Sequence, residues 1–418
     1  MALRLKFLIL CGFTLAAYSA AIGREQSLPW LIAALLSAAL LTGMLWPRWL
    51  IQRLSVRRVG PQRALEGETI VFRVDVQNRG WLPRFMVELV DRLPFVDAAE
   101  RGANDGDKLL GSIAYLPGRG ARSFDVPLLC EKRGFYKLGP MGLASSFPLG
   151  LAETRSRADH SRQTLTIYPK VFPILSLPLF GAPSQIHRGG YCLPEGAGAA
   201  EFSGLREYRR GDNPRHIHWP TTARLNELMV KEFEPLASAC ICIALDLAKD
   251  ANIGRGKHST LEYAIRIAAS VAGYACSQNM HNRVLADAAQ PLRILPGKGD
   301  FHYQAILDAL AVADADGNTS YARLLTEIAM NCVRGETVLL LLAEPPHRHA
   351  ETLQALALLR AKGVYLFAVL FERDSFFNAA SWARNDNGDR TLNAGLLELG
   401  AHCLTVRRGD ELTELFNR

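Results

Sequence analysis

The hydrophobic pattern changes three times along the chain, and each change marks a different kind of structure. Residues Phe7–Ile22 (FLILCGFTLAAYSAAI) and Leu28–Leu45 (LPWLIAALLSAALLTGML) carry no charge. Each approaches the ~20 residues that a helix needs to cross a bilayer. Only Gly23–Ser27 separates them, which predicts a tight helical hairpin. A cleaved signal peptide competes for the first segment, because Lys6 precedes it and small residues occupy Ser19–Ala21. A second apolar run so close behind favours two spans.

From about Ser55 to Pro169 the period becomes two. Ile70, Phe72, Val74 and Val76 alternate with Val71, Arg73, Asp75 and Gln77, and Phe124, Val126, Leu128 and Cys130 repeat the pattern. Short strands punctuated by Asn78–Gly80 and Arg133–Gly134, and ending in LTIYP at Leu165–Pro169, predict a small β-sandwich. Leu175–Ala200 is rich in Gly, Pro, Ser and Ala and reads as a linker. Its GGYCLPEGAGA run lacks the GxxxxGK[ST] spacing of a phosphate loop.

Beyond residue 236 strand and helix patterns alternate. The apolar runs Ser238–Leu245, Thr337–Ala343 and Val364–Phe371 have the form of parallel strands covered on both faces. Arg283–Asp287 and His402–Val406 are shorter strand candidates. Between and after them, helices are predicted over Ser259–Ser277, Tyr303–Ala313, Tyr321–Met330, Arg348–Lys362, Leu392–Leu399 and Glu411–Phe416. The first begins with Ser259 and Glu262 as a capping box. This βα order predicts an open, mostly parallel sheet with helices on both faces.

The expected organisation is a transmembrane hairpin over 1–50, a β-sandwich over 55–172 and a linker over 173–200. A charged segment over 201–235 and a Rossmann-type α/β domain over 236–418 follow.

Charge then fixes an orientation. Arg4 and Lys6 precede the first apolar run, and Arg48, Arg53, Arg57 and Arg58 follow the second. The positive-inside rule places both termini and everything after residue 50 in the cytoplasm. The formal net charge is +7, yet acids and bases are interspersed and no basic stripe or reader motif appears. That argues against nucleic acid and for contact with membrane lipid. The eight cysteines form no CxxC pair; Cys240 and Cys242 lie two apart in an apolar run, as buried free thiols on one side of a strand would.

The densest chemistry is Glu201–Glu234, EFSGLREYRRGDNPRHIHWPTTARLNELMVKEFE. Arg206, Glu207, Tyr208, Arg209, Arg210, Gly211, Asp212 and Arg215 crowd together, with Ile217, Trp219 and Arg224 close behind. Guanidiniums beside aromatics that favour burial need carboxylate or carbonyl partners. The reading is an ionic core of Arg206, Glu207, Asp212, Arg215 and Arg224, packed by Tyr208 and Trp219. It serves either as a clamp between the two folded parts or as an interface for a partner.

Outside this stretch the candidates are few. Asp246 ends the first predicted parallel strand, where ligands sit in open α/β sheets. A strand-end Asp followed by hydroxyls two and four positions on would bind a hard cation such as Mg²⁺. Here those positions hold Ala248 and Asp250, and Lys249 adds positive charge, so the reading is a structural Asp246 with a degenerate metal site at Asp246 and Asp250 and no cofactor. His216 and His218 alternate but have no third ligand nearby. His347 and His349 follow Pro345-Pro346 as exposed loop residues. No GxSxG or HExxH motif appears.

Glu201, Phe202, Leu205, Arg206, Glu207, Tyr208, Gly211, Asp212, Arg215, Ile217, Trp219, Ala223, Arg224, Leu228, Val230 and Glu234 together resemble the pattern of the bacterial domain-of-unknown-function family fifty-eight. Lys132–Leu151, Leu165–Val171 and the paired apolar runs are similar to it too. The resemblance implies a membrane-anchored protein with a β-sandwich and a von Willebrand factor A-like domain. It also implies a MoxR-type AAA+ ATPase as partner, in envelope-linked or chaperone-like assembly. The sequence departs from the family pattern at Pro220-Thr221-Thr222 and in the incomplete DxSxS motif at Asp246–Asp250. The leading expectation is a non-enzymatic scaffold or adaptor. The alternatives are a metal-dependent or hydrolytic enzyme centred on Asp246, and a receptor-like sensor using the sandwich.

Overall fold

The computed structural model describes residues 2–23, 27–96, 107–158, 161–177, 200–208, 217–225, 227–235, 240–377 and 387–417. The chain divides into two compact units, Met1–Lys170 and Val171–Arg418.

The first unit begins with α1 (Ala2–Gly23) and α2 (Ser27–Ile51), which pack against each other. Both are long and apolar enough to cross a membrane. Helix α2 runs past the predicted end at Leu45, straight through Pro47. The extension has a physical cause. Gly43, Pro47, Leu50 and Ile51 are buried, and Ile51 joins the core of the domain that follows. At Gly43 the helix comes so close to Leu151 that an added Cβ would lie 2.7 Å from its Cδ1. Arg84, only 3% exposed, holds the same helix end: its guanidinium stacks 4.1 Å from the Trp49 ring centre and donates to the Trp49 carbonyl at 2.7 Å.

Three antiparallel or mixed sheets follow. The first orders β1 (Leu54–Val59), β3 (Thr69–Asn78) and β6 (Ala121–Leu129) as β1-β3-β6. The second orders β2 (Arg63–Leu65), β10 (Gln163–Tyr168) and β7 (Gly134–Leu138) as β2-β10-β7. The third orders β5 (Asp107–Leu116), β4 (Arg84–Arg92), β8 (Met141–Ser145) and β9 (Thr154–Ala158) as β5-β4-β8-β9. Their inward residues share one core, and the alternation read from the sequence is the burial observed: Ile70, Phe72, Val74 and Val76 are inside while Val71, Arg73 and Gln77 face out. Arg58 and Asp91 form a buried ion pair between β1 and β4, with Phe72 5.5 Å from the guanidinium.

The second unit starts with residues that the sequence assigns to a sandwich end and linker. Phe172 donates its N–H to Ser270 Oγ at 3.0 Å and its ring meets Phe416 at 5.4 Å, while the N–H of Leu175 donates to Asn417 Oδ1 at 2.8 Å. Residues 173–177 are therefore docked on the α/β fold, and 178–199 lie outside the described residues. The charged segment forms a two-stranded hairpin, β11 (Ala200–Glu207) with β12 (Met229–Pro235), joined through the short helix α3 (Trp219–Leu225).

The six-stranded sheet comprises β13 (Cys240–Leu245), β14 (His281–Ala286), β15 (Leu292–Gly297), β16 (Thr337–Leu342), β17 (Tyr365–Phe371) and β18 (His402–Val406). Its order is β15-β14-β13-β16-β17-β18, parallel except for β15. The sequence reading missed β15. Its LRILPG run is short, partly exposed and Pro-containing, as an antiparallel edge strand can be. Helix α4 (Thr260–Ser277) starts as expected, with Ser259 Oγ accepting from the Glu262 N–H at 3.3 Å. Helix α5 (Asp300–Val312) packs on α4. Helices α6 (Tyr321–Asn331), α7 (His349–Ala361) and α9 (Asn387–Glu398) share one core with the even-numbered residues of β13, β16 and β17. Helix α10 (Leu412–Phe416) places Phe416 against Phe367 on the opposite face. Gly363, at φ +75°, ends α7 in the left-handed turn that favours glycine. The short helix α8 (Arg373–Phe376) follows β17.

Candidate functional site at the strand ends of the α/β unit

Strand register determines what gathers at the carboxyl edge of the sheet. Leu245 of β13 pairs with Leu341 of β16, so Asp246 continues opposite Leu342. Side chains alternate along a strand, so Glu344, two residues beyond Leu342, falls on the same face as Asp246. The loop after Asp246 is pinned to the one preceding α6. The N–H of Gly317 donates to the Leu247 carbonyl at 2.9 Å, and that of Lys249 to the Gly317 carbonyl at 3.1 Å. This brings Thr319 and the start of α6 over the strand ends, where the Tyr321 hydroxyl donates to the Ala244 carbonyl at 2.9 Å. From α7, Thr352 donates to Glu344 Oε2.

The polar groups here are incompletely satisfied. Asp246 Oδ1 accepts from the Ala248 N–H at 3.1 Å, but its Oδ2 is buried without a hydrogen-bond partner, as are Glu344 Oε1 and Thr319 Oγ1. Burial, reinforced by the neighbouring Glu344 charge, pushes the Asp246 carboxyl up to about 8. Burial also raises Glu344, which is 2% exposed, and holds Tyr321 well above the usual phenol range. Asp246 as a residue is partly accessible, but its Oδ2 is buried. Asp250 is ion-paired: Arg348 holds it at 3.1 and 3.0 Å, its carbonyl accepts from Arg373 at 3.3 Å, and both charges act on Asp246 and Glu344.

Asp246 is thus grouped with Glu344, while Asp250 is paired with Arg348. Ala248 supplies no hydroxyl, so the DxSxS donor set is not assembled. Among the described residues no group of three or more His, Cys, Asp or Glu could hold a metal ion. Glu344 and Thr319 were missed in the sequence. Glu344 carried a usable signal, because it follows the apolar run TVLLLLA just as Asp246 follows SACICIAL.

The charged segment looks different from its expected form. Gly211, Asp212 and Arg215, with His216, lie outside the described residues, and Arg206 is placed only as a backbone position in β11. Glu207 is exposed, Tyr208 is half-buried, and Arg224 is exposed on α3. Trp219, expected as buried packing, is 63% exposed. It opens a seven-residue helix in which no residue is buried. A short helix carried on a two-stranded hairpin offers no apolar layer of its own to cover an indole. His218 caps that helix, bonding Thr221 Oγ1 at 2.8 Å. His349, expected in an exposed loop, is instead buried at the start of α7, its Nε2 3.2 Å from the Glu344 carbonyl. Cys240 and Cys242 share a strand as expected, and burial lifts both thiols to about 12.

Comparison with known proteins bears on this unit. Residues 204–361 match the family model described as "Protein of unknown function DUF58", a stretch holding part of the charged segment and the strand-end cluster. The chain is 29% identical to "Uncharacterized protein YeaD" of Bacillus subtilis over 124 residues, and the match spans 29% of each protein. Among solved structures, the CARDB domain of a Pyrococcus furiosus protein is similar at a TM-score of 0.20, with 11% identity over 27% of this chain and 86% of that one. Proximal thread matrix protein 1 from the mussel byssus is similar at a TM-score of 0.29, with 15% identity over 43% of this chain and 46% of that one. Neither score defines the fold of this chain.

Proposed function

We propose that the protein is a membrane-anchored, non-enzymatic scaffold or adaptor, with soluble units in the bacterial cytoplasm, that works with a MoxR-type AAA+ ATPase in envelope-linked or chaperone-like assembly. The observation that carries the anchored-scaffold reading is the junction of α2 with the sandwich. Leu50 and Ile51 are buried and Arg84 grips Trp49, so anchor and folded domain form one piece. A freely tethered domain would need no such junction; a part that transmits position or force would. The ATPase partner rests on the resemblance of Glu201–Glu234. The sheet order with a single antiparallel edge strand supports a von Willebrand factor A-like reading of the α/β unit.

The test is affinity capture of the full chain from detergent-solubilised membranes. Stoichiometric recovery of a AAA+ ATPase, lost on substitution of Asp212 or Arg215, is the expected result; capture without any ATPase overturns the partnership. Labelling of a cysteine placed at the exposed position Trp81 by an impermeant reagent in intact cells would overturn the cytoplasmic orientation and favour a sensor.

A second reading is favoured by the unpartnered oxygens of Asp246, Thr319 and Glu344, which are hard donors suited to a divalent cation. Stoichiometric Mg²⁺ in the purified protein, absent from Asp246→Ala, would establish it.

A further inference from the structure

A cavity of about 260 Å³ opens beside the strand-end cluster, on the α9 side. Its floor follows from register. Leu342 of β16 pairs with Leu370 of β17, and both line the cavity. Two residues beyond that pair, past the ends of both strands, Glu344 and Glu372 also line the cavity above this apolar floor. Helix α9 supplies the opposite wall through Leu392 and Asn393.

Besides Arg407 and Thr405, the polar lining of this space is supplied by the acceptors of Glu344, Glu372 and Asn393. Glu344 is 2% exposed; its Oε2 is taken by Thr352, but its Oε1 has no partner. Asn393 Oδ1 is likewise buried and without a partner. Glu372 is ion-paired with Arg407 at the rim, but its buried Oε2 has no hydrogen-bond alignment there. The Arg407 side chain is 66% exposed and can swing aside. Buried acceptors without donors are destabilising, and a group with several N–H donors on an apolar stem would satisfy them together.

We propose that this cavity binds a protonated amine or guanidinium carried on a short alkyl stem, with Glu344 and Asn393 accepting from its N–H groups and Leu342, Leu370 and Leu392 holding the stem. The chemistry is shared by a free alkylamine and by a Lys or Arg side chain presented by a protein. It does not depend on the scaffold assignment.

The experiment is calorimetric titration of the full chain in detergent with agmatine, with Nα-acetylarginine amide, and with neutral N-butylurea. The expected result is saturable binding of at least one cationic probe, weakened about tenfold or more in Glu344→Gln, as for a lost charge-assisted hydrogen bond. Binding of agmatine alone identifies a free amine as the ligand class. Binding of the acetylated arginine alone identifies a presented side chain. Asn393→Leu, which removes the acceptor on the α9 wall, serves if Glu344→Gln does not fold, and is expected to abolish binding. Three results overturn the proposal: no binding of either cation by folded protein, N-butylurea binding as tightly as agmatine, or Mg²⁺ displacing agmatine stoichiometrically.

Discussion

Both units bury charge, but they do so in opposite ways. In the sandwich, Arg58 and Asp91 face each other with side chains 2% and 1% exposed, and Asp91 also accepts from the Arg92 N–H at 2.9 Å. At the edge of the α/β sheet the buried groups are oxygens without donors: Asp246 Oδ2, Glu344 Oε1, Thr319 Oγ1 and Asn393 Oδ1. A buried ion pair answers its own charge, even though Arg58 Nη1 is left without a hydrogen-bond partner. A row of buried acceptors, placed where open α/β sheets bind ligands, is a demand for a donor or a cation. The first arrangement is structural; the second is where function is to be sought.

That contrast can be broken experimentally. The largest effect is expected in the sandwich. Asp91→Ala leaves Arg58 buried and uncompensated, and should lower unfolding stability by about 3–5 kcal/mol, whereas the double substitution Arg58→Met/Asp91→Leu should cost far less. Chemical denaturation of both variants decides this. Equal losses would mean that the pair itself, and not the orphaned charge, matters.

At the sheet edge the sign reverses. The Asp246 carboxyl is raised from 3.8 to about 8 in the fold, so the native state holds a proton that the unfolded chain releases. Its burial therefore costs nothing below pH 3.8, costs more as pH rises, and costs fully above about 8. Asp246→Asn should remove that slope and stabilise the protein by about 1–3 kcal/mol at the alkaline end. Melting temperatures measured across this range would show it. A destabilised Asn variant would mean that the carboxylate already has a counter-charge.

Arg84→Ala should cost about 2 kcal/mol, the sum expected from a desolvated cation–π contact and a hydrogen bond to Trp49. It should also raise hydrogen exchange around Trp49–Arg53, loosening the junction without unfolding the sandwich. The smallest effect belongs to Trp219→Ala. At 63% exposure it should change stability by no more than about 0.5 kcal/mol. A larger loss would restore the buried clamp for the charged segment, and lost ATPase capture at unchanged stability would make it an interface.

Much of this architecture was legible in the sequence because periodicity survives folding. The alternation at Ile70–Val76 became an inner and an outer face. The apolar run at Thr337–Leu342 became a strand buried along its whole length. Ser259 and Glu262 marked the start of α4 to the residue. Other features were hidden because their causes are not local. Helix α2 continues through Pro47 because the sandwich packs against its last turns. His349 is buried because α7 folds back over β16. Trp219 is exposed because its helix rests on a hairpin with no layer of its own.

The sequence by itself determined the order of the apolar spans and of most strands and helices, since those depend on the spacing of neighbouring side chains. It also placed Asp246 at a strand end. It did not determine which oxygens meet there. Thr319, Glu344 and Asn393 are far from Asp246 along the chain, and only sheet register and the packing of α6, α7 and α9 bring them to one edge. Pairing partners across a sheet are chosen by tertiary contacts, so the site belongs to the structure even where each of its residues was visible in the chain.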